Sequence, residues 1–485
     1  MNQMLPLPRS TPEEEEIDSG LIIDFLNEME KEEAELHGIM IVVNQKVIFE
    51  AYNAPYQSDI PHNLHSYTKT FTNTAAGLAY TNGLLKLEDK VLDYFPQYAP
   101  DANEYLKALT LYDLITMRSG QERGIGGNEW RPLKSSWIDA YFQVPWVEMP
   151  GKRFLYSSGN SYILSAVVQK VTGKTCYEYL RENLLPHMGI GEFTWQTSPE
   201  GICSGGNGIS LCVEDITRMG MLYLNRGMWE GAQLLSPDWV DMSLGKINSV
   251  PLLEGEREYN FHWEHSGGIW AASGMFGQGS VLIPELNMVI GMTAADSRYM
   301  ADKGGLIQKT IVDPARIQRK TDGASKWEVL KNKGLRMTLE GKYKSVSGHM
   351  DFGKTFYEYQ VPDRTDGIKK ILFKFSEDRV IYSVEDMRGL HTVVCGLDHW
   401  VKSVTSMTGA YLHHQYEMDR MRVSACAFWE SESVLMMEWR FPEVAFCDHV
   451  RIEFDGFSAI RMNRWVNMNS EAVRRPEVKG ISSFC

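Results

Sequence analysis

Basic residues are in short supply. Lysine and arginine together number 49 against 63 aspartates and glutamates, a formal net charge of -14. That balance excludes a general nucleic-acid or anionic-membrane surface, and no long Lys/Arg cluster reverses it locally. Long apolar runs are also missing: no stretch stays apolar for the roughly 20 residues a membrane span needs. The N-terminus, running to Pro12 and then Glu13 to Glu16, lacks the basic start and apolar core of a secretory signal. A cytoplasmic enzyme is therefore expected. Cysteine is sparse: seven residues (176, 203, 212, 395, 426, 447 and 485), odd in number and without a Cys-x-x-Cys pair. Neither a disulfide framework nor a zinc site follows from such a set. Gly-x-Ser-x-Gly, His-Glu-x-x-His, a phosphate loop and a dinucleotide fingerprint are absent, so no metal and no cofactor is expected.

What is present fits a folded chain of two or three domains: 485 residues, 43% apolar. Asp18-Ser19 offers an N-cap before Leu21, Ile22, Phe25, Leu26 and Met29, whose spacing is helical. Gly38 to Val43 and Val47 to Ala51 are short apolar runs around Asn44-Gln45, a hairpin pattern. Helical stretches follow at Thr70–Ala79, Leu109–Met117, Trp137–Phe142, Tyr162–Thr172 and Val213–Leu224. Strands return at Trp270–Gly274, Ser280–Ile283 and Met288–Ala294. A Lys/Gly-containing stretch then reads as a linker, and beyond it Ile371–Phe375, Val380–Val384, His391–Val394, Met421–Phe428 and Val434–Phe441 read as strands. The expected organisation is an α+β domain over 1–315, a linker over 316–330, and a smaller, mainly β domain of unknown role over 331–485.

Ser66 and Lys69 are three residues apart, which on a helix puts their Cβ atoms about 5–6 Å from each other. A serine hydroxyl needs a base to become a nucleophile. Lysine serves only when neutral, which at pH 7 costs roughly 4–5 kcal/mol from its reference value. Burial supplies such a shift, and the apolar stretch after Lys69 suits it. A free N–H at a helix start would also favour charge on an oxyanion. Ser-x-x-Lys alone is weak, expected about once or twice by chance at this length. A second copy, Ser243-Leu244-Gly245-Lys246, holds a helix-breaking glycine and is ranked as surface.

The surrounding sequence separates the two. Leu64-His65-Ser66-Tyr67-Thr68-Lys69-Thr70-Phe71-Thr72 resembles the nucleophile motif of the β-lactamase-like serine hydrolases. That family includes class C β-lactamases, D-alanyl-D-alanine peptidases, esterases and 6-aminohexanoate-dimer hydrolases. Further stretches match in order: Leu84 to Val91, Leu109 to Gly120, Pro150 to Asn160, and Gly205 to Ser210 running into Asp215 and Met219. The resemblance covers about residues 5–310. It implies an antiparallel sheet with flanking helices and a helical subdomain, the β-lactamase/transpeptidase-like fold.

The resemblance also implies roles. Tyr156-Ser157-Ser158 stands where the family has Tyr-x-Asn, so Tyr156 joins Lys69 in the general-base system and Ser158 takes the Asn position. The family's Lys-Thr-Gly or His-x-Gly strand corresponds to Ala272-Ser273-Gly274-Met275-Phe276-Gly277-Gln278. Here Gly274 permits close approach, and the Met275 N–H is a candidate second oxyanion donor beside that of Ser66. Gln278 either orients substrate or ties loops together. The strand lacks the cation that holds a substrate carboxylate, although His262, His265 and Arg298 are close in sequence. His65, pointing about 100° from Ser66 on a helix, reads as packing or pocket lining. The expected function is a serine hydrolase acting on a small ester, amide or short peptide-like substrate. The alternatives are β-lactamase or D-alanyl peptidase activity, or a non-catalytic binding or sensor protein on the same fold.

Overall fold

The computed structural model describes residues 6–245, 258–297, 300–317, 326–352, 356–362, 367–407 and 409–483. Helix α1 (Ser19–Lys31) begins where the Asp18 carboxylate accepts a hydrogen bond from Gly20 N at 2.7 Å, satisfying one of the donors every helix start leaves open. Leu21, Ile22, Phe25, Leu26 and Met29 are its buried stripe. Strands β1 (Glu35–Val43) and β2 (Lys46–Tyr52) follow. Asn44 and Gln45 between them have φ of 49° and 67°, the pair of left-handed residues that a type I′ hairpin turn requires.

The chain then leaves the sheet for a mostly helical region. It contains α2 (Thr68–Thr81), α3 (Ser158–Thr172) and α4 (Val213–Leu224). The apolar stretch around Leu109–Met117 gives a shorter helix, Leu111–Ile115, started by a Thr110–Asp113 capping box. The sheet resumes as β3 (Glu258–Asn260), β4 (Trp263–Ser266), β5 (Ile269–Gly274), β6 (Gln278–Ile283) and β7 (Met288–Ala295). Its order is β2-β1-β7-β6-β5-β4-β3, with every neighbouring pair antiparallel. Both faces are covered, so β1 reads as an unbroken apolar run. Met40 and Val42 join the core shared with α2 to α4, whereas Ile39, Ile41 and Val43 join the one shared with α1 and Leu306.

The chain divides into two compact units, Met1–Tyr52 with Ser58–Met337, and Asn53–Gln57 with Thr338–Cys485. This differs from the expected linker at 316–330 and domain start at 331. Trp327–Leu335 is a helix, α5, in the first unit. Leu330 is fully buried, Lys333 pairs with Glu30 on α1 at 2.6 Å, and a Cβ on Gly334 would come 3.2 Å from Phe49 on β2. Few apolar residues among several lysines and a glycine hid that helix in the sequence. Residues 318–325 of the expected linker lie outside the described residues.

The second unit is a β-barrel. Its strands are β8 (Phe356–Gln360), β9 (Lys370–Phe375), β10 (Arg379–Asp386), β11 (Gly389–Leu397), β12 (Val401–Thr405), β13 (Met421–Ser431), β14 (Val434–Arg440), β15 (Cys447–Asp455), β16 (Ala459–Val466) and β17 (Val478–Ser482). They pair in the order β11-β10-β9-β8-β17-β16-β15-β14-β13-β12. A parallel pairing of Gly396 with Cys426 and Leu397 with Ala427 joins β11 to β13 and closes the sheet. Phe352, Phe373, Phe375 and Phe454 cluster inside, with ring centroids as close as 4.4 Å. A cavity of about 280 Å³ is bounded by Ile368, Tyr382, Val384, Met407, Met462 and Arg464; it contains none of the residues singled out in the sequence. No helix among the described residues is long and apolar enough to cross a membrane.

Candidate active site

Ser66 sits in a single turn of tighter helix, His65–Tyr67, that leads directly into α2. His65 before it is held at φ 47°, a left-handed conformation that non-glycine residues rarely take. Asn63 steadies that bend by accepting from His65 N at 3.1 Å, and Thr68 by donating to the His65 carbonyl at 2.6 Å. The bend leaves Ser66 half-buried while its neighbours Leu64, His65, Tyr67 and Lys69 are enclosed.

Lys69, in the first turn of α2, is 1% exposed. Its Nζ lies 3.1 Å from Ser66 Oγ, 3.1 Å from Ser158 Oγ and 2.7 Å from the Gly206 carbonyl. All three partners are uncharged. Burial therefore acts on the ammonium without compensation and lowers Lys69 to about 7. An ammonium would donate to all three oxygens. A neutral amine has two N–H donors and one lone pair, so it can donate to Ser158 and Gly206 while accepting from the Ser66 hydroxyl. Tyr156 lies with its ring face over Lys69, Nζ being 4.7 Å from the centroid. The contact with the amine is thus through the π face of the ring, and Tyr156 itself is 43% exposed.

Gly206 had no site role in the sequence reading, yet its carbonyl is the shortest of the three contacts to Lys69. The signal was the run Gly205-Gly206-Asn207-Gly208. Gly205 has φ 65°, and a Cβ on Gly206 would come 2.7 Å from Ser158 Cβ. Thr72 Oγ1 fastens this loop to α2 by donating to the Gly205 carbonyl at 2.7 Å.

The end of β5 closes the other side. A Cβ on Gly274 would sit 2.1 Å from the Leu64 carbonyl oxygen, so only glycine lets the strand reach the turn carrying Ser66. Ser273 lies one residue earlier, opposite Gly279. Met275 opens the turn 275–277 and is half-buried. Phe276 packs its ring against that of His65, edge to face at 5.1 Å. Gln278 is fully buried, donates to the Phe276 and Ala294 carbonyls at 3.0 and 2.6 Å, and accepts from Ala294 N at 3.2 Å, linking the turn to β7. Beneath the same turn lies an ion pair the sequence did not disclose, Lys303 with Asp296 at 3.5 Å, both enclosed.

The remaining candidates separate. Ser243 is not a surface residue: it is fully buried and donates to its own helix at the Trp239 carbonyl, 2.8 Å away. Lys246 and Arg298 lie outside the described residues. His265 faces Glu258 at 3.1 Å. His262 is buried, and burial together with the charge on Lys69 pushes it well below its ordinary value. Among the described residues no group of three His, Cys, Asp or Glu side chains is placed to hold a metal.

A model of the β-lactamase family matches residues 27–306. The chain belongs to the β-lactamase family. That family is one of serine hydrolases. The 6-aminohexanoate-dimer hydrolase of Paenarthrobacter ureafaciens is 24% identical over 307 residues, spanning 58% of this chain and 78% of that protein. A solved structure described as a candidate 6-aminohexanoate-dimer hydrolase from Bacillus anthracis has a TM-score of 0.55 at 18% identity, covering 66% of this chain and 89% of that one. A candidate β-lactamase from Bacteroides dorei gives 0.50 at 16% identity, covering 60% of this chain and 98% of that one. At these identities the two structures speak for the fold alone.

Proposed function

We propose that this β-lactamase-family chain hydrolyses an ester or amide through an acyl-enzyme on Ser66, with Lys69 and Tyr156 as its acid–base system. The observation that carries the reading is the Lys69 amine, enclosed among neutral partners and 3.1 Å from Ser66 Oγ. Lys69 takes the hydroxyl proton as Ser66 Oγ bonds to the substrate carbonyl carbon. The carbonyl oxygen becomes an oxyanion, received by the N–H groups of Ser66 and Met275. Collapse breaks the bond to the leaving alcohol or amine, which takes a proton from Tyr156 or from protonated Lys69. Water then attacks the acyl carbon, gives its proton to the same system and releases the carboxylic acid and Ser66.

An esterase- or amidase-like use is favoured over β-lactam or D-alanyl peptide turnover. The strand β5 offers Ala272-Ser273-Gly274 where a carboxylate-binding cation would stand. The name of the Paenarthrobacter relative, which refers to hydrolysis of a 6-aminohexanoate dimer, leans the same way. A fluorophosphonate probe tests the central claim. It should label the wild-type chain and leave Ser66→Ala unlabelled; labelling that survives Ser66→Ala, or none in the wild type, would refute the acyl-enzyme. A panel of p-nitrophenyl esters, linear amide dimers, D-aminoacyl amides and nitrocefin then ranks the substrates.

A further inference from the structure

In the steps above the oxyanion is received in part by the Met275 N–H, so whatever holds the turn 275–277 sets where that donor points. The turn bends through two left-handed residues, Phe276 at φ 66° and Gly277 at φ 85°. Gly277 N donates to the Gly274 carbonyl at 3.3 Å. That carbonyl therefore faces into the turn, and across the planar trans peptide the Met275 N–H faces out of it. The Phe276 carbonyl is pinned twice, by Asp296 N at 3.1 Å and by Gln278 Nε2 at 3.0 Å.

Lys303 and Asp296 sit against the same backbone. Asp296 directly follows β7, and Lys303 comes from the helix Met300–Ile307. A Cβ on Gly277 would come 2.7 Å from Lys303 Nζ and 3.5 Å from Asp296 Cβ. The ammonium thus lies where any side chain at 277 would begin. Nζ and the Asp296 carboxylate are 3.5 Å apart, and both side chains are enclosed.

A buried ion pair is a poor source of stability, because desolvation of the two ions offsets most of their attraction. It is nevertheless stiff. Separating two charges in a low-dielectric interior is costly, so the pair resists displacement of the backbone it touches. Here that backbone is the turn 275–277, which the Asp296 N–H also holds directly. Small errors in the turn matter to an oxyanion, since a donor works only within about 2.7–3.1 Å of the developing charge.

We infer that the Lys303–Asp296 pair is a positioning device, fixing the turn 275–277 so that the Met275 N–H meets the oxyanion formed at Ser66. The inference rests on the Ser66 acyl-enzyme reading and adds to it two residues that act through the turn. The test compares p-nitrophenyl butyrate with O-p-nitrophenyl thionobutyrate, each rate divided by that of hydroxide-driven hydrolysis. Sulfur accepts hydrogen bonds weakly and lies farther from carbon, so a chain that relies on N–H donors favours the oxygen ester. The wild type should favour it by about tenfold or more. Lys303→Met combined with Asp296→Asn removes both charges and leaves neither stranded. This double variant should lose about tenfold in kcat on the butyrate with KM little changed, and its preference for oxygen should shrink by a similar factor. A merely structural role would lower both rates alike, through fewer active molecules, and leave the preference intact. That result in a double variant that still takes the fluorophosphonate label would overturn the inference, as would unchanged kcat or a labelled wild type without the preference. Should the double variant fail to fold, Asp296→Asn alone decides, since it keeps the backbone N–H on Phe276. Its preference for oxygen should fall about threefold, and an unchanged preference, or a second failure to fold, overturns the inference. Absence of wild-type labelling at Ser66 is a different result and removes the acyl-enzyme reading beneath it.

Discussion

Lys69 in the first unit and Asp448 in the barrel are both enclosed, at 1% and 0% exposure. Lys69 meets two hydroxyls and a carbonyl. Asp448 meets two basic groups, His413 Nε2 at 2.6 Å and Arg464 Nε at 2.5 Å. Burial pushes each toward its neutral form. For Lys69 nothing opposes that push, and the amine drops to about 7. For Asp448 the charges of Arg464 and His413 outweigh it and hold the carboxyl below its ordinary value. Burial alone therefore does not tell a reactive group from a structural one; the counter-charge does.

Removing each group should expose that difference. Lys69→Met should cost about a thousandfold in kcat/KM on a p-nitrophenyl ester, within the range for a positioned base. The same change should leave the fold as stable or more so, because keeping this amine neutral at pH 7 costs on the order of 5 kcal/mol. A Lys69→Met chain with full activity, or with a lowered urea midpoint, would break the comparison on the first side. Asp448→Asn should do the reverse, destabilising the chain by about 3–5 kcal/mol, since it leaves Arg464 buried without its anion. An unchanged urea midpoint would break the second side.

Protons sharpen the contrast further. The unfolded lysine titrates near 10.4 and folded Lys69 near 7, so between those values the unfolded chain holds the extra proton. The Lys69 contribution to stability therefore falls as pH drops through that window and is constant below it. Activity follows the same group: kcat/KM should rise with pH along an acid limb centred near 7. A limb centred at pH 4–5 would assign the base to a carboxylate instead. Asp448 has the opposite sign. Its lowered carboxyl stabilises the fold above the unfolded value of about 3.9, and that contribution is lost as pH falls through the folded value.

The sequence disclosed these two regions unequally. Local signals located α1, the β1–β2 hairpin and α4, because caps, turns and apolar spacing act between near neighbours. Motif order pointed to Ser66, Lys69 and Tyr156, and the structure brings Lys69 beside the other two. The Gly206 carbonyl was not legible, since what matters there is a backbone atom brought to Lys69 across space. Helix α5 was hidden because its burial comes from β2 and α1, more than 270 residues earlier in the case of β2. Asp448 and Arg464 meet across the β15–β16 hairpin, and His413 joins them from the chain between β12 and β13.

The two Ser-x-x-Lys copies provide the smallest effect and the sharpest control. Ser243 Oγ donates to Trp239 O at 2.8 Å, and its contact with Asn73 Nδ2 is long, 3.5 Å. Asn73 keeps its 2.8 Å bond to the Phe261 carbonyl without it. Ser243→Ala thus removes a donor and leaves no strong partner stranded, on a helix where alanine is the better former. The expected change in stability is within about 1 kcal/mol, with fluorophosphonate labelling and ester hydrolysis unaltered. Loss of labelling in a folded Ser243→Ala chain would mean that the spacing of serine and lysine, and not the neutral pocket around Lys69, marks where the chemistry happens.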